Sequence, residues 1–451
     1  MTGAERGSLP ERESLPDRES LPELPIRVRR ARPGDTRAVL DFTRATWEGW
    51  DYIPAVWRSW LEAPDGVLLV ATPDAPHELD LFGRPLSAGR PIGIGRVAML
   101  APGEAWLEGL RVDPGARNRG VARLLHGACL VWAREQGATT VRYATGEGNV
   151  GSHRLGARHG FRLLRPWRSY QPPRDTHADD EDSQSHSEAA DEDEFADLGD
   201  DVGGQVPADV AARAVRAPRE ASLDNESDEF GGVGDSGESG DLEALDLDQE
   251  RLSPAGARRR LRRAGLALDP HASPDAVMAW WARLADDGTF LAGDRLYEFR
   301  SWAFQELTAD RFAGHVRSGE VMVRGAGAGT SAAGPAHRWG LAIVPLEEPR
   351  FAGDRPWAAL VAGDGDEIVR LAAAIRDALH VPIRLRVPEG APAVEGRAET
   401  LSAAGFPPSD GALHILAREI AAGDAIDVGP PGAVTFEEPP RRVAVAPRLE
   451  R

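Results

Sequence analysis

The 451-residue chain contains no lysine; all 53 of its basic residues are arginine. Schiff-base chemistry on a lysine, pyridoxal phosphate anchoring and a lysine-dependent phosphate loop are therefore excluded. There is one cysteine, Cys129, so no intramolecular disulfide framework and no cysteine-rich metal site can form. A reducing cytoplasm is the simplest compartment for such a chain. No apolar run reaches the roughly 18–20 residues that a membrane helix needs. No cationic stretch followed by an apolar one marks a signal peptide at the N-terminus. The 11 histidines show no H-x-x-x-H pair and no accompanying carboxylate cluster, so no metal is expected.

What is present is ordinary in bulk: 41% hydrophobic and 28% charged residues, with a length suited to about two or three domains. Gly 49 and Pro 35 exceed the usual share, which implies that part of the chain is not packed. The net charge of −19 disfavours a nucleic-acid or anionic-membrane partner. That charge is unevenly distributed, however. Residues 175–250 hold 26 Asp and Glu against only Arg213, Arg216 and Arg219. The acidity belongs to this stretch, and the remainder is mildly basic. The charge argument against nucleic acid weakens accordingly, although neither nucleic acid nor a membrane is expected as a partner.

Five regions follow from the patterning. Residues 1–25 repeat Ser-Leu-Pro every six residues and read as a disordered arm. Residues 26–173 are densely patterned. Residues 174–250 are too acidic and too poor in apolar residues to offset ordering entropy, and read as a disordered linker. It is either a solubilising spacer or a docking segment for a basic partner. Residues 251–422 are patterned again, and 423–451 form a Pro-rich, loose tail.

In 26–173 the expected order is βααβββαβαβ, an α/β fold in which a mixed sheet is flanked by helices. Asp35 is expected to cap the first helix. Val121 to Glu135 carries a helical apolar stripe, and Ser152 to His159 forms a short helix that Gly160 ends. The informative stretch is Glu108 to Leu125. A strand closes at Val112, an Arg-, Asn- and Gly-containing loop follows, and a helix starts near Gly120. Backbone N–H groups at a helix start lack intrahelical partners and, with the helix dipole, form an anion site. Gly120 permits close approach of a phosphate, and Arg117, Arg119 and Arg123 add positive charge.

Here the chain resembles the GNAT superfamily of acyl-CoA-dependent N-acyltransferases. Arg117-Asn118-Arg119-Gly120-Val121-Ala122 fits the family pattern Q/R-x-x-G-x-G/A. Leu110 to Pro114 before it, and Asn149, Ser152, Leu155, Arg158 and Gly160-Phe161 after it, fit as well. The resemblance covers about residues 26–172. It implies an N-acetyltransferase that uses acetyl-CoA, or another short acyl-CoA, and a primary amine as acceptor. It further implies that the backbone of Leu110, Arg111 and Val112 pairs with the pantetheine arm. The amides of Asn118, Arg119, Gly120, Val121, Ala122 and Arg123 would hold the pyrophosphate, and Asn149 and Ser152 would line the cofactor. A main-chain N–H near Leu110 would serve the oxyanion.

Glu108 stands two residues before Leu110, where family members often carry the base; a solvated strand-end carboxylate is the competing reading. The family's thiolate-protonating Tyr is replaced by Gly156. His153, one turn earlier, and Ser152 are candidates to substitute, while a surface helix histidine is the competing and preferred reading of His153. Tyr143 on a strand fits core or site. Cys129 among Ala128, Leu130 and Val131 reads as a small buried hydrophobe. The aromatics Trp47, Trp50, Tyr52 and Trp57 fit either an acceptor pocket or the core.

In the second patterned region 261–268 and 277–284 read as helices, and from Glu298 the plan repeats: a strand over 298–307, a helix opened by Thr308, three strands of which the last covers 357–362, then helix, strand, helix, strand. It ends in Gly405-Phe406 and resembles a degenerate second GNAT domain. In it Asp364, Asp366 and Glu367 would repel phosphate, so no CoA is expected there. Two such domains joined by a disordered acidic linker, as monomer or homodimer, are therefore expected. The alternative in a different class is a non-catalytic acyl-CoA sensor or scaffold.

Overall fold

A computed structural model describes residues 25–44, 51–74, 80, 85–171, 253–300, 302–325, 338–346 and 356–435. The expected arm, the acidic linker and the last residues of the tail lie outside the described residues. The N-terminal half contains β1 (Ile26–Arg30), α1 (Thr36–Thr43), α2 (Ile53–Glu62), β2 (Gly66–Pro73), β3 (Gly93–Ala101) and β4 (Glu104–Val112). It continues with α3 (Val121–Glu135), β5 (Thr140–Gly146), α4 (Val150–Arg158) and β6 (Arg162–Tyr170).

The alternation in β1 places Ile26 and Val28 inward with Arg27 exposed, as expected of a strand with one covered face. β2 and β3 are buried almost throughout because helices cover both faces. One face packs α3 through Leu124, Leu125, Ala128 and Trp132. The other packs α1 and α2 through Val39, Phe42, Trp57 and Trp60 onto Leu68, Val70 and Ile94. Asp35 differs from expectation, since its side chain does not cap α1. Its carboxylate instead accepts from the Arg32 amide at 2.7 Å and pairs with Arg29 at 2.8 Å. A nearby guanidinium and a local amide outcompete the helix start.

The C-terminal half contains α5 (Pro254–Arg263), α6 (Pro274–Ala285), α7 (Gly288–Ala292), β7 (Leu296–Arg300), β8 (Ala303–Glu306), α8 (Ala309–Arg317) and β9 (Val321–Gly325). Then come β10 (Trp339–Ile343), β11 (Trp357–Ala358), β12 (Leu360–Gly363), α9 (Gly365–Leu379), β13 (Arg384–Pro388), α10 (Ala398–Ala403) and β14 (Leu413–Glu419). Three local expectations change. The helix expected over 261–268 starts earlier, because the Ser253 side chain caps it and Pro254 suits its first turn. It ends before Gly265, which sits at φ +69°. The strand expected over 298–307 is a β7–β8 hairpin. The strand expected over 357–362 splits, with β11 and β12 joining different sheets.

The sheet order carries what the periodicities did not. Nine strands run β1-β2-β3-β4-β5-β14-β6-β13-β11, and a separate sheet runs β12-β10-β9. The last strand of the chain, β14, lies between β5 and β6 and is antiparallel to both. β6 in turn pairs antiparallel with β13. Each half thus lends its final strand to the other. The β7–β8 hairpin covers the face of β4 and β5 opposite α3, where Leu296, Ala303 and Phe304 pack on Trp106, Trp167 and Ile415.

The tail expected to be loose after Gly423 is not loose over 424–435. The Asp424 carbonyl accepts from Arg134 on α3 at 2.8 Å. Gly127 of α3 has no room for a Cβ beneath the Asp427 backbone. Val434 then bridges to Val28 in β1, where Val28 N donates to the Ala433 carbonyl at 2.7 Å.

Candidate active site

β4 and β5 are parallel, but their pairing is confined to Glu104–Trp106 against Thr140–Arg142. Toward the C-terminal ends the two strands part, and the wedge between them is flanked by the start of α3. A bulge in β4 lies at this place. Ile94 faces Arg111 and Arg96 faces Glu108, so Gly109 and Leu110 together oppose Gly95. Such an extra residue leaves the ladder and re-aims its amide. Gly109 adopts φ +70°, and a Cβ there would run into the Trp60 ring. Glycine meets both demands.

The loop after β4 is held by Asp113, whose carboxylate accepts from Gly115 N at 3.0 Å. Asn118 (φ 61°) and Gly120 (φ 75°) are both left-handed. Gly120 is the residue that opens α3. It has no side chain with which to cap the first turn, so the helix start presents amides rather than a carboxylate. Val121 and Ala122 point into the core, and only their main-chain groups face outward. Arg117 and Arg119 are half-buried, and Arg123 pairs with Asp427 at 3.3 Å.

The corresponding helix of the C-terminal half, α9, has the opposite chemistry. Its cap Asp364 accepts from the amides of Asp366 and Glu367 at 3.1 and 3.4 Å. Asp366 pairs with Arg338 and Arg397. A carboxylate of the chain itself occupies that helix start.

The remaining candidate residues divide between the two faces of the sheet. Val112 packs on the α3 side. The Arg111 side chain turns to the other face, where Nε meets Asp51 at 2.8 Å and the guanidinium lies 5.2 Å from the Tyr52 ring. Burial alone would lower its pKa, but Asp51 and Tyr52 outweigh it and the pKa is raised. Asn149 caps α4, accepting from Ser152 N at 3.0 Å. The Ser152 carbonyl accepts from the Tyr143 hydroxyl at 2.9 Å. His153 packs edge-on against His414 of β14, with centroids 5.0 Å apart. The His414 pKa is lowered by burial first and by His153 second.

Glu108 is not a solvated strand-end carboxylate. It pairs with Arg96 of β3 and with Arg300 of β7 at 3.3 Å, and both arginines also reach Asp65, at 2.6 and 3.5 Å. Arg96 lies 5.3 Å from the Trp60 ring. Sequence reasoning did not single out Arg96, Asp65, Trp60 or Arg300. The usable signal was Arg96 itself, a charge between Ile94 and Val97 in an otherwise apolar strand.

Other residues settle as packing. Burial pushes the Cys129 thiol up to about 12, in keeping with a buried hydrophobe. Trp57 is in the core and donates to Thr36 Oγ1 at 2.9 Å. Tyr52 stacks edge-on against Trp60, and Trp47 and Trp50 lie outside the described residues. Among the described residues no group of three or more His, Cys, Asp or Glu is arranged to hold a metal. No helix among them is long and apolar enough to cross a membrane.

The sequence model of the acetyltransferase (GNAT) family matches residues 38–161. This part of the chain is a GNAT domain. A histidine N-acetyltransferase of Xenopus tropicalis is 32% identical over 93 residues, which is 20% of this chain and 24% of the relative. The chain thus matches about a quarter of that relative's length. A putative acetyltransferase structure from Thermoplasma acidophilum aligns with 87% of this chain and 99% of its own, at 13% identity and TM-score 0.39. An N-acetyltransferase structure from Staphylococcus aureus Mu50 aligns with 32% of this chain and 87% of its own, at 18% identity and TM-score 0.26. The GNAT domain holds every candidate residue named above for the cofactor, and the β7–β8 hairpin reaches it from outside.

Proposed function

We propose that the GNAT domain transfers an acetyl or other short acyl group from acyl-CoA to a primary amine. The observation that carries this reading is the amide-presenting start of α3 at left-handed Gly120, beside Arg117, Arg119 and Arg123 and next to the β4–β5 wedge. An anionic pyrophosphate suits that helix start, and an extended pantetheine arm suits the free edge of β4 beyond Trp106. The neutral amine attacks the thioester carbonyl from the face that holds Glu108. Its proton passes to Glu108, directly or through water. The amide of Leu110 at the bulge donates to the developing oxyanion. The C–S bond then breaks, and CoA leaves as thiolate or thiol. His153 stands as a candidate proton source beside its His414 partner. In this reading Asn149 serves the site by fixing α4.

Gly120→Glu tests the cofactor site, because it sets a carboxylate in front of the amides. Acetyl-CoA affinity, measured by calorimetry, is expected to fall at least tenfold. Unchanged affinity overturns the assignment.

A non-catalytic acyl-CoA sensor is the second reading. It is favoured by Gly156 in place of a Tyr and by the pairing of Glu108 with two guanidiniums. Thiol release from acetyl-CoA, screened over amines, free amino acids including histidine, aminoglycosides and peptide N-termini, separates the two. Acetyl-CoA binding without release on any acceptor supports the sensor. We further propose that the C-terminal half is a GNAT-like partner without CoA, since Asp364 fills its helix start.

A further inference from the structure

We propose that Arg300, supplied by the C-terminal half, is a positioning residue that keeps the Glu108 carboxylate ionised within the GNAT domain. The inference rests on the reading of Glu108 as base. Its grounds are geometric. Arg300 lies in β7, whose hairpin is anchored on the sheet by Leu296, Ala303 and Phe304 against Trp106 and Trp167. From there its guanidinium spans Glu108 at 3.3 Å and Asp65 at 3.5 Å. Arg96 spans the same two carboxylates from β3. All four groups are shielded: side-chain exposure is 7% for Arg300, 1% for Arg96, 12% for Glu108 and 24% for Asp65. Among the described residues these ion pairs set two guanidiniums against two carboxylates, with one guanidinium from each half.

Among the described residues, charged groups come from several elements around Glu108, and Glu298 on β7 is itself engaged by Arg384 and Arg386. β3 supplies Arg96, β7 supplies Arg300, and the turn before β2 supplies Asp65. Along β4 itself, Glu104 is engaged by Arg142 and Arg311, and Arg111 is engaged by Asp51. Without Arg300, Glu108 loses one of the two guanidiniums paired with it. A carboxylate that loses one of two adjacent cations is less favoured in its ionised form, so the Glu108 carboxyl titrates higher without Arg300. The C-terminal half, whose own helix start is filled by Asp364, thereby sets the protonation state of a residue in the other half.

The test needs no acceptor. Full-length protein labelled with side-chain carboxyl 13C-glutamate is titrated by isotope-edited infrared spectroscopy. The Glu108 band is identified as the one missing in Glu108→Gln, and folding of each variant is checked by thermal melting. Arg300→Gln is expected to raise the Glu108 midpoint by about one pH unit, and Arg300→Lys to bring it most of the way back to the wild-type value. Acetyl-CoA affinity should stay within twofold. Equal midpoints in wild type and Arg300→Gln overturn the proposal, as does a shift in Arg300→Gln that Arg300→Lys leaves in full. Full thiol release by Glu108→Gln would instead overturn the base reading, with the titration unaffected.

Discussion

The hydroxyl of Tyr143 occupies the space into which a side chain at position 156 would grow. Tyr143 comes from β5 and donates to the Ser152 carbonyl at 2.9 Å, while Gly156 lies on α4 with no room for a Cβ against that phenol. Burial pushes the Tyr143 pKa up, so the phenol stays neutral. Gly156→Ala should therefore destabilise the protein by about 1–3 kcal/mol, although alanine is the better helix former by about 1 kcal/mol. Tyr143→Phe in the same chain should recover part of the loss. Denaturant unfolding of the two single variants and the double variant measures the coupling.

Glu298 is fully buried on β7. It pairs with Arg384 at 3.0 Å and Arg386 at 3.6 Å and accepts from Trp302 N at 2.8 Å. Glu298→Gln removes the charge and leaves two buried guanidiniums without their shared counter-ion. A loss of about 3–5 kcal/mol is expected, read as a lower urea midpoint at unchanged slope.

Strand exchange makes the halves interdependent. Expressed alone, residues 26–173 would leave β6 without either of its neighbours and uncover Trp106 and Trp167. This fragment should be aggregated or poorly structured by circular dichroism and gel filtration. Coexpressed with residues 251–451, it should be recovered as a soluble complex of the two pieces. A well-folded, monomeric fragment 26–173 would contradict this account.

Acid sensitivity follows from His126 on α3 and His159 at the end of α4. His126 stacks on His159 with centroids 4.6 Å apart. Burial is the largest cause of both depressions: His126 is well below its ordinary value and His159 is lowered to about 4. The unfolded chain binds a proton near pH 6.5 that folded His159 refuses until about pH 4. Stability is therefore highest above about pH 6.5 and declines as pH falls toward 4. His159 alone accounts for about 2 kcal/mol lost by pH 5. Unfolding free energies at pH 7.5 and pH 5 measure it, and His159→Gln should flatten the difference by about that amount.

The elements themselves were legible where their causes are local. Thr308 caps the helix that follows it, Gly160 ends α4, and the alternation of β1 matches its burial. The loop from Arg117 to Arg123 was legible because a helix start needs only its own residues to present amides. The strand exchange was not. The alternation of β14 tells which face is buried and says nothing about whether β5 or β13 is the neighbour. The pairing of Glu108 was hidden for the same reason, since its partner Arg300 lies 192 residues further along the chain. The breaks at Trp302 and Ala359 escaped as well, because apolar residues run through both turns.

The exchange also sets a schedule for synthesis. Thr140 pairs with Glu419 across 279 residues, and no shorter loop can supply the strand beside β5. The first half emerges from the ribosome with β5 and β6 open until residues 413–419 have been made. At about 5–20 residues per second that wait lasts on the order of tens of seconds. During it the nascent chain carries three unpaired strand edges, one on β5 and both on β6, so the demand for chaperone protection falls before translation is complete rather than after.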